Sequence, residues 1–163
     1  VKRIEELLGM PIMTVQEGLR LGTVKGVELD TAEGRIRYLH FDGAGNRTDG
    51  IIAWESLRSV GSDAITVDSK DVVRETIPAT DRDALTAYVG DRPVVTESGE
   101  RVGTVKSYDV DEQTGRVDRY HVAVGGVFSR WMGNEVQFTH EAIRGFGKDA
   151  IIIADAVCAP KSS

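Results

Sequence analysis

The chain is one module written twice. Gly22-Thr23-Val24-Lys25 returns unchanged as Gly103-Thr104-Val105-Lys106, an offset of 81 positions. At the same offset Gly9 meets Gly90, Gly18 meets Gly99, Arg20 meets Arg101 and Asp30 meets Asp111. Gly34-Arg35 likewise meets Gly115-Arg116, and His40 meets His121. A repeat on this scale constrains architecture more than any single residue does, because both copies must reach the same fold. Two domains are therefore read from the 163 residues: 1–79, with 68–79 as a connecting segment, and 80–163. A unit of roughly 70–80 residues buries only a small core. Packing of the units on each other, strand exchange or dimerisation is expected to supplement it.

Each repeat opens on a short helical segment. The first is Arg3 to Leu8 before Gly9; in the second, Thr80 caps a segment running through Ala84–Val89 to Gly90. Strands follow. Pro11–Val15 and Pro93–Thr96 begin with proline, where a missing N–H does least harm. Leu21–Asp30 and Val102–Asp111 read as long strands, each with an inner glycine, Gly22 or Gly103, which marks a bend, bulge or close backbone approach. Hairpin turns at Thr31–Gly34 and Glu112–Gly115 lead into third strands, Arg35–Phe41 and Arg116–Val124. Positions apolar in both copies of that strand are Ile36/Val117, Leu39/Tyr120 and Phe41/Val122. Strict alternation cannot join position 36 to 39, so a bulge is expected between them.

Beyond the third strand the offset changes from 81 to 86, with Gly61–Val67 matching Gly147–Ile153. The second repeat thus carries extra residues within 125–134. That stretch includes Phe128, Arg130, Trp131 and Met132, side chains of the kinds enriched at binding hot spots. They are the candidate interaction residues, because only one repeat has them. The segment Asp68–Ala79 has apolar weight at Val72, Val73 and Ile77, and is read as a continuation of the last strand ending before Pro78.

The net charge is −6, with no basic block in either half. Nucleic acid is not an expected partner, since phosphate binding calls for a basic face. No apolar run is long enough to cross a membrane, and Val1–Gly9 lacks the apolar core of a signal peptide. Cys158 is the sole cysteine, which suits a cytoplasmic protein.

The order of glycines and strands narrows the fold further. Each repeat has a Gly-x-x-apolar-Gly-Thr-Val core around Gly22 or Gly103 and a hairpin ending in Gly-Arg. An apolar-x-x-Glu step at Glu55 or Glu141 and a closing Gly-x-Asp-Ala-Ile strand complete it. This pattern resembles the PRC-barrel family over roughly residues 4–67 and 85–153. The resemblance implies a mainly β protein of two tandem PRC-type barrels, each with a short leading helix. It implies an interaction module rather than an enzyme. It also brings an alternative, an RNA-processing or ribosome-assembly accessory, because a ribosome-maturation factor carries the same barrel.

Chemical motifs are sparse. No catalytic constellation and no cofactor-binding motif is read. His40 and His121 share a repeat position and are the candidate metal ligands, with His140 or Cys158 as possible companions; this carries a small-ligand or metal-binding barrel as a further alternative. Asp109, Asp111 and Gln113 hint at a calcium loop, but glycine falls one place late for an EF-hand, so an acidic hairpin turn is expected. Glu55 with Arg58, and Glu141 with Arg144, are expected to form local ion pairs on a helical turn. Trp54 is assigned to the core. The function read from the sequence is a non-enzymatic, self-associating adaptor, with protein partners of unknown identity and itself as a homodimer.

Overall fold

The inner glycine of the repeated motif is required by sterics. In the computed structural model, which describes residues 1–82, 85–86, 91–125, 135–147 and 149–158, a Cβ on Gly22 would lie 1.8 Å from the Asp42 carbonyl oxygen. At Gly103 it would lie 1.9 Å from that of Ala123. In both copies a neighbouring strand passes where a side chain would stand, which lets the hairpin coil tightly.

Two units result. Unit 1 comprises Val1–Tyr88 and Asp111–Arg116; unit 2 comprises Val89–Val110 and Val117–Ser163. In unit 1, β1 (Lys2–Arg3) runs into α1 (Ile4–Leu7), whose Ile4 and Leu7 are buried while Glu5 and Glu6 face solvent. Glu6 accepts the Arg3 N–H at 2.8 Å, satisfying one of the donors at the helix start. Gly9 ends the segment with φ 86. The sheet follows from β2 (Pro11–Thr14), β3 (Arg20–Asp30), β4 (Arg35–Gly43), β5 (Gly50–Ala53), β6 (Leu57–Val60) and β7 (Ile65–Val67). Their order is β5-β4-β3-β2-β7-β6, with β2 and β7 parallel and the other neighbours antiparallel. Ile12, Leu29, Ile36, Leu39, Phe41, Ile52 and Ile65 form its core, each at most 1% exposed.

Unit 2 repeats the plan. β9 (Pro93–Thr96), β10 (Arg101–Val110), β11 (Val117–Val124), β12 (Glu135–Phe138), β13 (Ile143–Phe146) and β14 (Ile151–Ile153) take the order β12-β11-β10-β9-β14-β13. Aromatic rings dominate this core: Tyr120 stacks on Phe138 with centroids 5.2 Å apart and meets Phe146 edge-on.

Bulges fall at equivalent places. The expected one in the third strand is present, with Arg37 as the extra residue in unit 1 and Asp118 in unit 2. A second pair was not anticipated: Lys25 and Lys106 are the extra residues of β3 and β10. Each bulge raises local twist and helps curl a short sheet toward a barrel.

Two segments depart from the sequence reading. The second helix, α2 (Ala79–Arg82), starts directly after Pro78, and the stretch expected to continue it contributes β8 (Leu85–Thr86) instead. β8 pairs with Leu29 and Asp30 at the end of β3, so an available strand edge outweighs the helical pattern. The connecting segment does not prolong β7 either. Ser69 caps a helical turn at Lys70–Val72, and Arg74 then exchanges two backbone hydrogen bonds with Ile51, at 2.7 and 2.9 Å. The outer edge of β5 is thereby covered.

Candidate functional site

The two repeat histidines each meet a carboxylate of their own unit. His40 on β4 lies with Nε2 2.9 Å from Glu28 Oε1 on β3. His121 on β11, buried, has Nε2 3.0 Å from Asp109 Oδ1 and Nδ1 2.7 Å from Glu135 Oε1. Glu28 and Asp109 occupy one repeat position, so both hairpins carry the same His–carboxylate pair. A carboxylate only accepts, so both contacts to His121 are hydrogen bonds when the ring carries both its protons. Neither ring nitrogen of His121 then offers a lone pair to a metal. Among the described residues, no group of three or more His, Cys, Asp or Glu side chains is arranged to hold one.

The bulged lysines complete the pattern. Lys25 reaches Asp42 at 3.4 Å and Asp49 at 3.5 Å, and Lys106 pairs with Glu135. Hydrogen bonds from Lys106 and then His121 hold the Glu135 carboxyl down at about 2. Asp49 is lowered too, first by the Gly43 backbone N–H and then by the Lys25 charge. These cross-strand ties begin at the first residue of β12 in unit 2 and just before β5 in unit 1. The acidic residue at the histidine's partner position in both repeats was a legible clue; the role of the lysines was not, since no local pattern shows which carboxylate a lysine meets.

Other expected features resolve simply. The acidic hairpin is an Asx turn: Asp111 Oδ1 accepts the Gln113 and Thr114 N–H groups at 2.8 and 3.2 Å, as Asp30 does from Ala32 and Glu33. Arg58 pairs with Asp68 at 3.0 Å rather than with Glu55, whereas Arg144 lies 3.4 Å from Glu97 and donates to the Glu141 backbone carbonyl at 3.2 Å. The three-residue helical turn at Trp54–Ser56 is too short to align Arg58 with Glu55. Phe128, Arg130, Trp131 and Met132 lie outside the described residues.

One surface of unit 1 is concave. Trp54, Glu55, Leu57, Arg58, Ser59 and Val60 line a cleft of about 470 Å³, together with Glu112 and Gln113. Trp54, 7% exposed, sits against Gly115, where an added Cβ would be 2.9 Å from the indole. Gly115 has φ 78, and its carbonyl accepts the Ile36 N–H at 2.8 Å. Leu57 and Val60 are half-buried at the two ends of β6. Among the described residues, no strand pairs with the outer edge of β6. Glu55 is exposed and has no hydrogen-bond or ion-pair partner among them. The cleft joins residues more than fifty positions apart in the chain, which no local pattern reveals.

Duplicated sheets of this order, bulged at matching positions and closed over small apolar cores, define a protein of two tandem β-barrels. The family model for the PRC-barrel domain matches residues 1–73 and again 89–156. The chain belongs to the PRC-barrel family, whose domains are known as small protein-interaction modules. No curated protein matches it. Among the described residues, no helix is long and apolar enough to cross a membrane.

Proposed function

We propose that the protein is a non-enzymatic interaction module, a cytoplasmic adaptor whose two PRC-barrel domains present surfaces to protein partners and to further copies of itself. The observation that carries this reading is the cleft beside β6, where Trp54, Leu57 and Val60 adjoin a strand edge and a carboxylate that have no partner among the described residues. Concave surfaces of this composition suit protein side chains. The histidines support it from the other side, because each is engaged in cross-strand ties that hold the sheet. The residues Phe128, Arg130, Trp131 and Met132 belong to the proposal as a second contact region, on the sequence argument that one repeat alone carries them.

Affinity capture with the full chain tests the reading. Wild-type protein is expected to retain a defined partner, and the variant Phe128→Ala/Trp131→Ala/Met132→Ala to lose much of it. A chain that retains nothing and runs as a strict monomer in light scattering contradicts the proposal.

A further inference from the structure

The cleft beside β6 has a chemistry that narrows the partner, on the interaction-module reading just given. Sheet extension is the first possibility for an unpaired edge, but β6 is ill suited to it. The strand has four residues, and Arg58 bulges between Leu57, opposite Val67, and Ser59, opposite Thr66. A short, bulged edge bearing a charge resists pairing with another strand. The cleft, rather than the ladder, is the usable feature.

Its charges are unbalanced. Arg58 is tied to Asp68 at 3.0 Å, so the cationic member of the lining is already neutralised. Glu55 has no partner among the described residues. Glu112 is the second carboxylate of the lining. Trp54, Leu57 and Val60 line the same cleft and contribute its apolar surface. A long aliphatic stem ending in a positive charge matches both properties, because lysine and arginine lay their methylenes on apolar surface while the head seeks a carboxylate. The net charge of −6 favours a basic partner over a second copy of this chain.

We infer that the cleft formed by Trp54, Glu55, Leu57, Val60 and Glu112 receives a lysine or arginine side chain from an exposed basic segment of another protein. The incoming head group engages Glu55 and Glu112.

The test uses the full chain and three capped peptides of one length, with lysine, glutamine or glutamate alternating with valine. Binding is read by titration calorimetry at low and high salt. The lysine peptide is expected to bind saturably and to weaken with salt. Glu55→Gln/Glu112→Gln should weaken it roughly three- to tenfold, the range for partly exposed ion pairs, with an unchanged circular-dichroism melt. Both sites are at the surface, and Glu55→Lys/Glu112→Lys, which should turn the preference toward the glutamate peptide, guards against a neutral variant that misfolds. Equal affinity for lysine and glutamine peptides, or indifference to both variants, overturns the inference. So does a dimer that dissociates on Glu55→Gln/Glu112→Gln, since the occupant would then be a second copy. If capture depends on residues 128–132 while the cleft variants change nothing, this inference fails and the interaction-module reading stands. If capture and peptides both fail, both fall.

Discussion

Glycine at position 22 separates what a residue type signals from what it does. Its place inside a strand pointed to a bend or a close approach, and the structure selects the close approach: a Cβ would meet the Asp42 carbonyl oxygen at 1.8 Å. Gly26, four positions along the same strand, is the control, with nothing within 4 Å of its notional Cβ. Gly22→Ala is therefore expected to cost roughly 1–3 kcal/mol or more through overpacking against backbone, whereas Gly26→Ala should stay within about 0.5 kcal/mol. Urea denaturation of the two variants checks this, and equal midpoints would contradict it. Histidines 40 and 121 make the complementary point. Their shared position was visible in the sequence, but their partners were not all visible. Asp109 lies on the strand hydrogen-bonded to that of His121, and Glu135 arrives from the strand on its other side. Register brings them together, and register is a property of paired strands.

At the level of elements, the bulge at Lys106 has the clearest physical consequence. By breaking alternation it places the ammonium against Glu135, across β11 at the start of β12. Glu135 ordinarily titrates near 4.5 and here is held at about 2. A carboxylate lowered on folding is bound to more protons in the unfolded chain as pH falls. Its stabilising contribution is therefore complete above about pH 4.5 and is lost as pH descends toward about 2. Acid unfolding of Glu135→Gln should show a shallower fall across that window than the wild type, followed by circular dichroism. Parallel acid limbs would show that Lys106 and His121 do not favour the charged form. The strands, turns and third-strand bulge were legible because alternation, glycine and proline act locally. Leu85 and Thr86, the described residues of the helix expected over Ala84–Val89, form a strand because they answer to a distant edge, Leu29 and Asp30 on β3.

At the level of the whole molecule, duplication acts as an internal control. Strand order, two bulge positions, the Asx turns and the His–carboxylate pairs occur in both repeats of the sequence, so they are economically explained as architecture. Unit 1 nevertheless draws on two separate stretches of chain, Val1–Tyr88 and Asp111–Arg116. Gly115 is the tightest point of the second stretch, with φ 78 and the Trp54 ring 2.9 Å from any added Cβ. Gly115→Ala should destabilise unit 1 by roughly 1–3 kcal/mol. Hydrogen exchange at the Ile36 amide, which donates to the Gly115 carbonyl, should accelerate in step; unchanged protection there would refute the role given to this turn. By itself the sequence determined the duplication, the β-rich class and the PRC-type pattern, since repeats, alternation and turn residues are properties of order along the chain. Only the tertiary structure decided which carboxylates hold the histidines, that both lysines sit in bulges, and that Trp54 and Glu55 share a cleft with Glu112. Each of those depends on which strand lies beside which and on where a register slips, and the energies that settle this come from contacts between residues far apart in the chain.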